Sequence, residues 1–148
     1  MSLDSISVRR DFPIFDSDFN GKPLIYLDNA ATTQKPNQVI DAISNFYRTS
    51  YANVHRSPHS IGAAATDQFE AGRTKVAEFI NAADSSDLVF TRGTTESINI
   101  VAGILAEQVL KPGDVILITP SEHHSNIVPW QMAARRSGAV REYINLHD

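Results

Sequence analysis

Two short, unbroken apolar runs constrain this chain more than anything else in it: Leu88-Val89-Phe90 and Val115-Ile116-Leu117-Ile118. Runs without polar alternation suit strands buried on both faces, as in parallel sheets covered by helices. Between the two runs a helical pattern places Ile98, Val101, Ala102 and Leu105 on one face. After the second run, a helix that Ser125 or Asn126 can cap buries Ile127, Trp130 and Ala134 and stops at Gly138. Val140-Arg-Glu-Tyr-Ile144 then reads as a third strand. From residue 87 onward the order is strand, helix, strand, helix, strand, which specifies an open α/β unit.

The upstream part is more mixed. Val8-Arg-Arg-Asp-Phe12 reads as a short helix ended by Pro13, Asn20-Gly21 as a turn and Leu24-Ile-Tyr-Leu27 as a short strand. Asp28-Asn-Ala-Ala-Thr-Thr33 reads as a loop. Pro36 and Asn37 open a helix with Val39, Ile40, Ile43, Phe46 and Tyr47 on its apolar face. A loop holding His55, Arg56 and His59 follows. A longer helix then runs from about Gly62 to Ile80, with Ile61, Ala65, Phe69, Gly72, Val76 and Ile80 along one side and Gly72 marking close packing. Lys111-Pro-Gly-Asp114 is a turn. A chain of 148 residues is long enough for one domain with a core. A doubly wound sheet with so few strands leaves an open edge, so a fragment of a larger fold is expected.

Ligands of open α/β sheets bind beyond the carboxyl ends of the strands. Two loops reach that edge here. The first, Arg92-Gly-Thr-Thr95, is a glycine turn at a helix start, where free backbone N–H groups and the positive end of the helix dipole meet two hydroxyls. Gly93, Thr94 and Thr95 are therefore candidates to hold a cofactor's phosphate; simple helix capping by a threonine is the competing reading. The second, Glu122-His-His124, offers an imidazole that can lie over an aromatic ligand or move protons. His123 and His124 read equally as polar loop residues, and neighbouring histidines do not make a metal site, which needs three or four convergent ligands.

Composition narrows the classes further. A net charge of −4 gives no basic footprint for nucleic acid. No apolar run approaches the roughly 20 residues of a membrane span, and the N-terminus lacks a secretory pattern. There is no cysteine, which removes disulfides, thiolate metal sites and a thiol nucleophile; a cytoplasmic location is the simplest expectation. No G-x-G-x-x-G follows a strand, and neither G-x-x-x-x-G-K-[ST] nor G-x-S-x-G occurs.

Four strings taken together carry a resemblance: Tyr26-Leu-Asp-Asn-Ala-Ala31, Tyr51-Ala-Asn-Val-His-Arg56, Phe90-Thr-Arg-Gly-Thr-Thr-Glu-Ser-Ile-Asn99 and Ser121-Glu-His-His-Ser-Asn-Ile-Val-Pro-Trp130. In this order, across nearly the whole chain, they resemble the class V aminotransferase family, within it the cysteine desulfurases of iron–sulfur assembly that also act as selenocysteine lyases. The resemblance implies the N-terminal part of the large domain of a fold type I, pyridoxal 5′-phosphate (PLP)-dependent transferase, an α/β fold with a mostly parallel sheet flanked by helices, truncated here. It implies that Thr94 and Thr95, with Gly93, bind the PLP phosphate and that His123 stacks on its ring and shuttles protons. Ala30 and Ala31 would border the substrate, with His55 and Arg56 near the active site at a homodimer interface. The full reaction would take sulfur from L-cysteine, leaving alanine, and pass it through an enzyme thiol to an acceptor protein. Kynureninase-like and epimerase-like members share the fold and cofactor site, and a non-catalytic fragment that binds a phosphorylated ligand or a partner is the third reading. Members of the family are two to three times longer. Their cofactor-anchoring lysine and acidic ring partner lie beyond the point matching Asp148, and the lysines here, Lys22, Lys35, Lys75 and Lys111, match neither. The chain alone is therefore not expected to desulfurate cysteine.

Overall fold

The computed structural model describes residues 4–145, and the chain divides into two compact units, one up to residue 87 and one from residue 88. In the first, the Asp4 carboxylate accepts the Ile6 and Ser7 N–H groups and so starts α1 (Ser5–Arg9). The helix thus begins earlier than the apolar spacing suggests, and a 3₁₀ turn, Pro13–Asp16, follows. Strands β1 (Asp18–Phe19) and β2 (Lys22–Pro23) form an antiparallel hairpin. Asn20 and Gly21, at φ 57° and 73°, supply the left-handed turn that such a hairpin requires.

Pro36 precedes α2 (Asn37–Thr49), as its fixed φ favours. The next helix, α3 (Ser60–Phe79), is capped by His59, whose Nδ1 accepts the Gly62 N–H at 3.2 Å. Its buried residues are Gly62, Ala65 and Ala77. The expected packing glycine, Gly72, has open space where a Cβ would sit. Gly62 is the close-packed one: a Cβ there would overlap Ser57 Cβ and lie 2.8 Å from the Ser57 carbonyl oxygen. The expected apolar faces of α2 and α3 are largely exposed, as at Ile43, Tyr47, Ile61 and Ile80.

The second unit holds α4 (Thr94–Gln108), β3 (Val115–Ile118), α5 (Val128–Ser137) and β4 (Val140–Tyr143). Strands β3 and β4 pair in parallel, from Val115 opposite Val140 to Ile118 opposite Tyr143, with α5 as the crossover. Helices α4 and α5 meet through Ala102, Ala106 and Ala133, with Leu110, Ile116 and Trp130 packed around them. Alanine at the crossing lets the helix backbones approach. Gly138, at φ 78°, ends α5 in the left-handed cap expected of it. Its carbonyl accepts the Gly113 N–H at 3.2 Å, joining the turns at the start of the two strands.

Two expected strands are not formed. Residues 24–27 and 88–90 lie outside both sheets of the described residues, and Leu27 and Val89 are 91% and 73% exposed. A strand exists only as part of a ladder, so apolarity alone does not make one. The expected cap of α5 is also displaced. Its N-terminal flank is Ile127, which offers no capping side chain, and Pro129 occupies the first turn, where a missing N–H costs nothing.

Candidate cofactor half-site

The glycine turn before α4 is built by its own neighbours. Gly93 is the N-cap, at φ 153°, and no side chain caps the helix. Thr94 and Thr95 are therefore the first two helical residues rather than caps, and both are exposed. Glu96, one residue further, folds back: its carboxylate accepts the Arg92 N–H at 2.6 Å and the Arg92 guanidinium at 3.0 and 3.3 Å. That clamp fixes the turn from both ends. The Arg92 hydrogen bonds, side chain first and then backbone, hold the Glu96 carboxyl below its ordinary pKa. Its negative charge, which would repel an anion at the helix start, is balanced by Arg92. Thr91 Oγ1 and Ser97 Oγ, 2.7 Å apart, tie the turn to the first helical turn.

The loop after β3 is braced as firmly. Glu122 accepts from Thr119 Oγ1 at 2.7 Å through one carboxylate oxygen and from Asn126 Nδ2 at 2.9 Å through the other. Asn126 Oδ1 in turn accepts the Trp130 Nε1–H at 2.8 Å. Inside this frame, His123 Nδ1 accepts the Ser125 N–H at 3.2 Å and faces Ser125 Oγ at 2.9 Å. An N–H can only donate, so the neutral His123 ring carries its proton on Nε2. A 3₁₀ turn, His124–Asn126, follows and packs against both α4 and α5. The structure thus brings the helix that carries Thr94 and Thr95 against the turn that follows His123. The sequence-based expectation gives no role at the site to Glu96 or Glu122, and to Asn126 only that of a possible helix cap. Their signal is spacing: Arg92 and Glu96, and Glu122, Asn126 and Trp130, recur at intervals of four.

The hydrogen bonds from Asn126, first, and Thr119 lower the pKa of Glu122. A depressed carboxyl stabilises the fold above its unfolded pKa of about 4.3, and that contribution is lost as the pH falls through the lower folded value. Thermal unfolding followed from pH 6 down to pH 2 is expected to show a shallower acid limb for Glu122→Gln than for the parent chain.

The remaining candidates lie in the first unit. Ala30 and Ala31 form an exposed turn in which the Asp28 carbonyl accepts the Ala31 and Thr32 N–H groups at 3.2 and 3.1 Å. The Tyr26 hydroxyl staples this turn by donating its one proton to the Thr32 carbonyl at 2.6 Å, with the Asp28 carbonyl at 3.2 Å. His55 sits at φ 64°, a left-handed conformation that costs a β-carbon residue energy unless neighbours hold it. Its N–H donates to Thr66 Oγ1 at 2.9 Å, its Nε2 lies 2.9 Å from Glu70 Oε1, and its ring meets the edge of Phe69. Arg56, next to it, is exposed. Among the described residues no three His, Asp or Glu side chains converge as metal ligands, and no helix is long and apolar enough to cross a membrane.

The aminotransferase class-V family profile matches residues 25–148. The chain belongs to the class V aminotransferase family. It is 49% identical to a cysteine desulfurase of Synechococcus elongatus across all of its length and 24% of the relative's. It is 53% identical to one of Enterobacter sp. over 99% of the chain and 36% of the relative. The apo structure of the cysteine desulfurase of Thermococcus onnurineus superimposes with a TM-score of 0.88 at 38% identity, covering 99% of this chain and 34% of that one. A cysteine desulfurase of Escherichia coli gives 0.78 at 41% identity, with 99% and 36% coverage. The chain therefore spans between about a quarter and about a third of these class V relatives. The α/β fold expected from the sequence, that of part of a fold type I transferase, is the fold of the portion of these structures that the chain covers.

Proposed function

We propose that this chain is the N-terminal third of a PLP-dependent cysteine desulfurase and supplies the phosphate-binding and ring-facing half of its cofactor site. The observation that carries the reading is identity of about half, over nearly the whole chain, to proteins named cysteine desulfurase. The donor set fits the cofactor. A phosphate monoester dianion matches the helix start with its cap glycine, two exposed hydroxyls and a neutralised carboxylate. The chain's exposed apolar surface fits a part of a larger fold: among the described residues the buried apolar side chains are five alanines, Pro129 and Ile118.

In this reading Gly93, Thr94 and Thr95 grip the phosphate, and His123 covers the ring and holds its proton on Nε2, the nitrogen directed away from Ser125. Bound PLP supplies the electron sink that the chemistry at the substrate's α- and β-carbons requires. Ala30 and Ala31 border L-cysteine or selenocysteine, and their small side chains leave room for it. His55 and Arg56 line a homodimer interface, and Arg56 offers a charge-matched partner for a carboxylate. The remaining two thirds contribute the lysine, the acidic ring partner and the thiol that passes sulfur to an acceptor protein. A reducing, cytoplasmic setting suits a thiolate nucleophile.

Joining this chain to the C-terminal two thirds of the Thermococcus relative tests the proposal. The fusion is expected to release alanine from L-cysteine, and His123→Ala to lower kcat by about 100-fold, the usual scale for a positioned acid or base. A folded fusion that binds PLP but releases no alanine would refute the desulfurase assignment.

A further inference from the structure

The geometry points to Glu122, Asn126 and Trp130 as positioning residues for His123, acting as one directional hydrogen-bond chain. The chain runs from Trp130 Nε1–H to Asn126 Oδ1, from Asn126 Nδ2–H to Glu122 Oε2, and from Thr119 Oγ1–H to Glu122 Oε1, at 2.8, 2.9 and 2.7 Å. Every group in it is used in one sense only. The indole can only donate, which fixes which way the Asn126 amide faces. Asn126 must then present its amino group to Glu122, which must accept on both oxygens. One end of the chain is anchored in α5, where Trp130 packs beside Ala102, Ala106 and Ala133. The other end is anchored at Thr119, just beyond β3.

His123 lies between the two linked residues Glu122 and Asn126, and its ring hangs on the Ser125 N–H from within the same loop. Free rotation of the loop backbone would move that N–H and release Nδ1. The chain therefore sets both the direction of the imidazole and which of its nitrogens carries the proton. Its span, from residue 119 to residue 130, gives a physical reason for the Glu-His-His-Ser-Asn-Ile-Val-Pro-Trp string as a unit. Structural bracing alone would tie down the loop without choosing a His123 tautomer. The inference uses the proposed role of His123, but its test does not depend on PLP.

The test is nitrogen-15 NMR of the imidazole groups of the 148-residue chain, with amide hydrogen exchange at Ser125. Asn126→Asp sets a second carboxylate against Glu122 while still accepting from Trp130. It is expected to give a mixture of His123 tautomers and on the order of tenfold faster exchange at Ser125, about what losing one hydrogen bond to a charged group costs. Adding Glu122→Gln to that variant restores the chain with only the link between positions 122 and 126 reversed. The introduced glutamine amide donates to the introduced aspartate, and Thr119 still donates to the glutamine oxygen. The double variant is expected to recover the single tautomer and slow exchange. Trp130→Phe keeps the ring bulk, removes only the first donor and should loosen Ser125 exchange as Asn126→Asp does. Amide signals of α4 and α5 report whether each variant folds. If Asn126→Asp does not fold, Trp130→Phe decides alone. A folded variant with His123 and Ser125 signals unchanged, or a double variant that fails to recover them, overturns the inference. Altered His123 signals in a chain that does not bind PLP would leave the positioning intact and count against the cofactor reading instead.

Discussion

Replacing Gly62 by valine is expected to destabilise the first unit's helical part by about 1–3 kcal/mol. Substituting an exposed helical glycine normally stabilises, by about 1 kcal/mol for alanine. At this position the Cβ would overlap Ser57 Cβ and press on the Ser57 carbonyl oxygen and carbon at 2.8 and 3.2 Å. Two of those three neighbours are backbone, so no rotamer change relieves the contact. Overpacking of this kind costs about 1–3 kcal/mol and outweighs the propensity gain. The strain falls on the loop that presents His55 and Arg56, because Ser57 follows them directly. Circular dichroism melting measures the loss, and Ser57→Gly in the same chain should recover only part of it, since the carbonyl contact remains.

Gly93→Val is expected to cost about 1–3 kcal/mol by a different route, since nothing lies within 4 Å of a Cβ at that position. The penalty is conformational: φ 153° is open to glycine and strained for a β-branched residue. The chain can relieve it only by turning residues 92–94. That would pull Arg92 from Glu96 and redirect the helix-start N–H groups proposed to face the phosphate. The same substitution at the half-buried Gly103 serves as the control. It lies within α4, where valine is a better helix former than glycine, so little or no loss is expected, and its Cβ likewise meets nothing within 4 Å. Fluorescence of Trp130 against urea separates the two, and equal costs would show that the turn is not held in its unusual conformation.

The second unit was largely legible in the sequence. Val115–Ile118 and Val140–Tyr143 are strands in parallel register, and Gly138 ends α5 as a left-handed cap. These features depend on local chemistry: apolar β-branched runs, a glycine after a helix, a turn at Pro112-Gly113. The misreadings share one cause. Leu24-Ile-Tyr-Leu27 and Leu88-Val-Phe90 have strand chemistry, but pairing is a property of neighbours, and periodicity within a segment carries no information about them. Gly72 and Gly62 occupy similar sequence settings, and only the position of Ser57 distinguishes them.

In the candidate half-site, Gly93, Thr94, Thr95 and His123 stood out because a glycine turn at a helix start can seat an anion and an imidazole can face an aromatic ligand, although helix capping and a plain polar loop read equally from the residues alone. The residues that hold them were hidden. Glu96 looks like an ordinary first-turn acid and Asn126 like a helix cap. Their work appears only when the Arg92 N–H and the Trp130 indole are seen to need acceptors. His55 was singled out by its motif, yet its left-handed backbone and its pairing with Glu70 on α3 follow from tertiary packing.

The most direct test of the central claim, that this chain carries the phosphate-binding half of a PLP site, is absorbance titration of the 148-residue chain with PLP, beside Thr95→Ala and His123→Ala. The account predicts saturable binding that Thr95→Ala weakens by about 1–2 kcal/mol, or roughly tenfold, the scale of a hydrogen bond to a charged phosphate. It also predicts that inorganic phosphate competes with PLP and that His123→Ala weakens PLP binding but not phosphate binding. No saturable binding, or binding that survives both substitutions unchanged, would contradict it.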